Sequence, residues 1–190
     1  MCYQNVKDAT DWLDYIKTFG PIIIGLAGIF FGYLLNIKTL RKSQIEEERK
    51  EIYNKLNEFY GPVQQLIKKN FMLYELFKVG KDKNFRTLTA LLEGKKFEGN
   101  DKQLLEQIIL VDKELEKLII SKSGLVDDAK LREILAKATT HFNVISLAYN
   151  GNLRDEPMRF SNYVYPKELE SKIEEQITTL KKRLEEINKL

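Results

Sequence analysis

Residues 18–37, TFGPIIIGLAGIFFGYLLNI, contain no charged side chain. At about 1.5 Å rise per residue a helix of this length covers roughly 30 Å, the thickness of the hydrocarbon core of a bilayer. Lys17 and Lys38 close the stretch, and Trp12, Tyr15 and Tyr33 stand where amphipathic rings settle at the headgroup level. A buried core helix is the alternative, but an uninterrupted apolar run of this length reads as a membrane span.

Working outward, charge gives the span a direction. Of 31 basic and 28 acidic residues, 1–17 holds two lysines against three aspartates, and Lys38, Arg41 and Lys42 follow the span directly. The remaining 26 basic and 25 acidic side chains are spread over 43–190. The positive excess therefore sits at the membrane, and there is no broad basic footprint for DNA or other nucleic acid. Basic residues beside a span stay on the cytoplasmic side, which predicts a single-pass membrane protein. Residues 1–17 would be external and the rest cytoplasmic. The apolar run is too long, and its N-terminal flank too acidic, for a cleaved signal peptide. Cys2, the single cysteine, cannot form a disulfide within the chain.

Inside the span, Gly25, Gly28 and Gly32 share one helix face, and Gly28 with Gly32 makes a GxxxG pair. Missing side chains let helix backbones approach closely, so this face is a candidate surface for self-association; glycine is also simply common in spans. If several copies surrounded an opening, Thr18 and Asn36 would be its polar lining. No ionisable group lies within the span, which argues against a proton relay or carrier.

Beyond Lys38 the sequence KTLRKSQIEEERKEIYNKLNEFY lacks Gly and Pro and keeps Ile45, Ile52, Leu56 and Phe59 at heptad-like spacing. This predicts a stalk helix over 38–60 that continues the span. Gly61 and Pro62 predict a kink or a fresh helix. A helical bundle over 61–190 follows, with helices to about Val79, over 85–92, over 102–121 capped by Asp101, and over 127–149. Phe71, Tyr74 and Phe77 read as a core stripe. Residues 150–165 carry no helical signal, and long ordered loops are often functional. In the last helix Ile173, Ile177, Leu180, Leu184 and Ile187 alternate at four and three, a coiled-coil-like repeat that either packs on the bundle or joins copies. No strand alternation competes, so the expected fold is all-α.

Catalytic motifs are missing: no GxxxxGK(S/T), GxGxxG, GxSxG or HExxH. One histidine and one cysteine cannot build a zinc site, and no metal or cofactor is expected. His141 is the one acid/base candidate, with Arg132, Arg154 and Arg159 as partners. The plain alternatives are a packed imidazole and loop salt bridges; the functional one for the arginines is anion or RNA contact.

One span, the charged stretch ERKEIYNKLNEFYGP, a helical domain and a late Arg-containing loop together resemble the small transmembrane HEPN-like accessory protein of type VI-B CRISPR systems. The resemblance lies in architecture over most of the chain. It implies a homo-oligomeric pore of the bacterial inner membrane that supports antiviral defence when a partner, an RNA-guided CRISPR effector, is activated. HEPN ribonucleases place His five to seven residues after Arg, in an R-x4-6-H motif. Here Arg159 stands five residues after Arg154, and His141 nine after Arg132, so the ribonuclease motif is broken. Three functions follow: a membrane-perturbing oligomer, a tethered HEPN-type ribonuclease, or a non-enzymatic scaffold for a cytoplasmic partner.

Overall fold

The computed structural model describes the backbone of residues 4–153 and 157–189 and the side chains of 17–153 and 159–189. Among these the chain is all-helical and contains no strand. It divides into two compact units, Met1–Arg49 and Lys50–Leu190. The division cuts the expected stalk, so that 50–60 belongs to the bundle.

The described residues of the first unit form one helix. α1 runs Gln4–Lys55 and keeps Pro21 within it. It is long and apolar enough to cross a membrane, and none of its apolar window is buried. Phe19, Ile24, Ile29 and Leu35 are all exposed. A Cβ built on Gly25, Gly28 or Gly32 would meet nothing within 4 Å, so the glycine face is open in the single chain. Thr18 and Asn36 are exposed as well. The side chains of Trp12 and Tyr15, and all of Cys2, lie outside the described residues.

Where Gly61 and Pro62 predict a kink or a new start, the chain stays helical by widening. Leu56–Tyr60 forms a π turn, closed by the Gly61 N–H donating to the Leu56 carbonyl, and α2 (Gly61–Lys78) follows directly. Pro62 has no N–H to donate and its ring would strike the carbonyl one turn back. The π turn opens that position. It also demands glycine at 61, because a Cβ there would stand 2.8 Å from the Leu56 carbonyl oxygen.

The bundle continues with α3 (Thr87–Leu92), α4 (Gly99–Ser121), α5 (Ala129–Tyr149) and α6 (Leu169–Ile187). α4 starts two residues before Asp101, and Glu98 at its cap position makes no side-chain cap bond. Asp128 does cap α5, its Oδ1 accepting from the amides of Lys130 (2.8 Å) and Leu131 (3.0 Å). α2 packs along α4, α4 along α5, α3 on α5, and α6 on α2, α5 and the π turn.

Two apolar clusters fill the bundle. One gathers Phe59, Val63, Leu115, Leu131 and Ile173 from the π turn and four helices. The other gathers Phe77, Leu88, Phe97, Leu105 and Ile145, with Phe77 and Phe97 edge-on at 5.3 Å. Ile173, Ile177, Leu184 and Ile187 are buried and Leu180 half-buried, so the terminal repeat is taken up by its own bundle. The expected aromatic core stripe divides: Phe77 is core, Tyr74 half-buried, and Phe71 is 56% exposed.

Candidate functional site

α2 and α4 each present an apolar face to the other, and each face carries one polar interruption. On α2, Asn70 follows Val63 and Ile67 at seven and three residues; on α4, Asp112 follows Leu105 and Ile108 at seven and four. Helix periodicity puts both inward. They meet there, Asn70 Nδ2 donating to Asp112 Oδ1 at 2.6 Å.

Asp112 is only 4% exposed. Burial pushes its carboxyl up to about 7, against the pull of the Asn70 hydrogen bond. No cation pairs with it among the described residues. Lys55, the other buried charged side chain, differs by having two carboxylates, Glu51 at 2.5 Å and Asp127 at 2.6 Å. Asn70 Oδ1 and Thr87 Oγ1 are buried without a hydrogen-bond partner.

Asn70, Thr87 and Asp112 line a half-open cavity of about 1200 Å³ in the bundle, with the Asn70 Oδ1 and Thr87 Oγ1 atoms themselves covered. α2 lends it Asn70, Phe71 and Tyr74; α4 lends Asp112; α5 lends His141 and Phe142. Its remaining walls are the start of α3, with Arg86 and Thr87, and the segment from Ser161 to Glu170. The exposure of Phe71 is thus toward a concavity.

The loop wall is pinned through His141. Its Nδ1 bonds the Tyr163 carbonyl at 2.6 Å, and since a carbonyl only accepts, Nδ1 carries the proton and Nε2 is left as an acceptor. Burial holds the imidazole below its ordinary value, more than that hydrogen bond raises it, so the ring is neutral at pH 7. It lies 6.0 Å from the Tyr165 ring and 6.2 Å from Phe142. Burial raises the Tyr165 phenol, and the charges of Asp112 and Glu170 add to the effect, so it too stays neutral.

Of the arginines expected beside His141, neither Arg132 nor Arg159 lines the cavity with it. Arg132 lies nine residues earlier on α5, on the opposite face at about 100° per residue, and its Nε donates to the Val126 carbonyl at 2.6 Å. Arg159 is exposed, its guanidinium 5.9 Å from the Phe160 ring. Arg154 lies outside the described residues. The basic residues that do line the cavity are Arg86, Lys137 and Lys167, with Lys137 paired to Glu133 at 2.7 Å. Among the described residues no three His, Cys, Asp or Glu side chains gather to hold a metal.

No family model, curated protein or solved structure matches the chain. The class defined by fold and site is accordingly an all-helical protein with one helix able to cross a membrane and a bundle that holds a polar-centred cavity.

Proposed function

We propose that the chain is a single-pass membrane protein whose span gathers copies of itself, with the bundle on the cytoplasmic side controlling that assembly. In this reading its output is a pore or other perturbation of the bacterial inner membrane in antiviral defence, signalled through an RNA-guided effector. The defence setting and the effector come from the architectural resemblance.

One observation carries the anchor and its self-association: between Lys17 and Lys38 the apolar surface of α1 is exposed all round, with an open glycine face. Such a surface has to be covered by something apolar. Lipid covers the bulky faces, and the glycine face suits the backbone of a second copy. Lys38, Arg41 and Lys42 orient the bundle inward.

The test is the mass of the full chain in mild detergent, together with dye release from liposomes that carry it. A multiple of the monomer mass and leakage are expected. A monomer would overturn self-association, while an oligomer that leaves vesicles tight would overturn the perturbing output and leave a scaffold.

A further inference from the structure

The buried pair Asn70–Asp112 is incomplete by its own chemistry. Asn70 uses its amide N–H on one carboxylate oxygen, and the second oxygen of Asp112 has no donor among the described residues. A buried carboxylate without a cation is costly, and a group that supplies both a charge and an N–H bond relieves it. Both side chains face the cavity, whose other walls include Phe71, Tyr74, Phe142 and Tyr165. Aromatic faces attract cations and take up apolar bodies.

We propose that this cavity binds an organic cation, a primary ammonium carried on an apolar or aromatic body, with its N–H donor taken by the Asp112 carboxylate. A metal ion is the wrong occupant, because the described residues gather no set of ligands for one. An anion would meet the Asp112 charge, and a purely apolar guest would leave the carboxylate unmet. The volume, about 1200 Å³, holds a drug-sized body and not just the ammonium. This inference concerns the bundle alone and stands whether or not the span assembles.

Phenethylamine, its neutral counterpart phenethyl alcohol, and phenethyltrimethylammonium, which keeps the charge but has no N–H, separate the contributions. Titration calorimetry on the full chain in detergent is expected to show saturable binding of the amine. The alcohol and the trimethyl analogue should each bind about tenfold more weakly, as loss of a charge-assisted hydrogen bond implies. Asp112→Asn should weaken the amine by a similar factor.

A pH series on the unaltered protein adds an arm that needs no variant. The amine stays charged while Asp112 loses its proton near pH 7, so affinity should rise several-fold from about pH 6 to about pH 8. Burial holds His141 below and Tyr165 above its ordinary value, and the Asp112→Asn variant, which keeps both groups, separates their part from that of Asp112. The charged side chains on the walls besides Asp112 are Arg86, Glu133, Lys137, Lys167, Glu168 and Glu170. Equal binding of the alcohol, a flat pH series, or no saturable binding of the amine at millimolar concentration would overturn the proposal. If the trimethyl analogue bound as tightly as the amine, the N–H assignment to Asp112 would fail, and the primary ammonium with it.

Discussion

Residues 18–37 and 173–187 are both rich in apolar side chains at helical spacing, and they meet opposite fates. In α1, Ile24 is 73% exposed and Ile29 72%; in α6, Ile173 is fully buried and Ile187 nearly so. The difference lies between the apolar positions. α6 sets Glu, Lys and Thr there, giving a stripe that one set of neighbours can cover while the other face meets water. α1 sets glycine and more apolar residues there, so no face suits water and no folding of the chain onto itself covers the whole circumference. A striped helix is completed by its own domain, whereas an all-round apolar helix has to be completed from outside.

The same truncation should therefore read differently in the two regions. Ile173→Ala removes a fully buried side chain from the main cluster and should cost about 4 kcal/mol of bundle stability, including the cavity left behind. Ile24→Ala should leave bundle unfolding unchanged. Urea unfolding followed by circular dichroism of both variants in detergent checks this. An equal loss in both would break the contrast.

The buried side has one flaw to probe. The Asp112 carboxyl keeps its proton to about pH 7 in the fold but would lose it near 3.8 when exposed, so between those values the folded state binds more protons. Stability should then fall as pH rises through that window. About three pH units at about 1.4 kcal/mol each put the effect on the order of 4 kcal/mol. Asp112→Asn, which can still accept from Asn70, should be more stable than the parent at pH 8 and lose little of that advantage above it. His141 works in the other direction, since its lowered value makes acid favour unfolding, but it is common to both proteins and cancels in the difference. A variant less stable than the parent at pH 8 would show that Asp112 is satisfied in the fold.

Gly61→Ala comes next. The added methyl at 2.8 Å from the Leu56 carbonyl cannot be placed without moving backbone, and overpacking of this kind costs about 2 kcal/mol. The π turn should reopen or revert to α geometry, which would shift the phase of α1 against α2 by one residue. Thermal melting gives the cost. Exchange of the Gly61 amide, which donates to Leu56, reports whether the wider turn survives.

Much of this was legible in the residues, and the failures share one cause. Helix positions followed from apolar spacing, because burial decides them. The site did not, because the residues that advertise chemistry, a histidine with nearby arginines, are not the ones that form its buried polar pair. Asp112 and Asn70 sit in plain register with Leu105, Ile108, Val63 and Ile67. A polar residue at an inward position was the available signal. What spacing cannot show is whether such a residue finds a partner, and here the two find each other but leave acceptors over. The π turn was hidden for a related reason: proline announces a disturbed ladder, but only the close approach of Gly61 to Leu56 shows how the backbone absorbs it.

The smallest effect on the bundle should come from Gly28→Leu, and it bears most directly on the contrast between the regions. A side chain at that position meets nothing in the single chain, so bundle stability should stay within about 0.5 kcal/mol. Close approach of a second backbone along the Gly25, Gly28 and Gly32 face would nonetheless be blocked, so association measured by energy transfer between labelled copies in micelles should fall about tenfold. Leu26→Ala, at an exposed position two residues away on another face, is the control. If Gly28→Leu left assembly intact, copies would have to meet through another surface. The open glycine face would then be covered by lipid alone, and the helix would be an anchor without a partner.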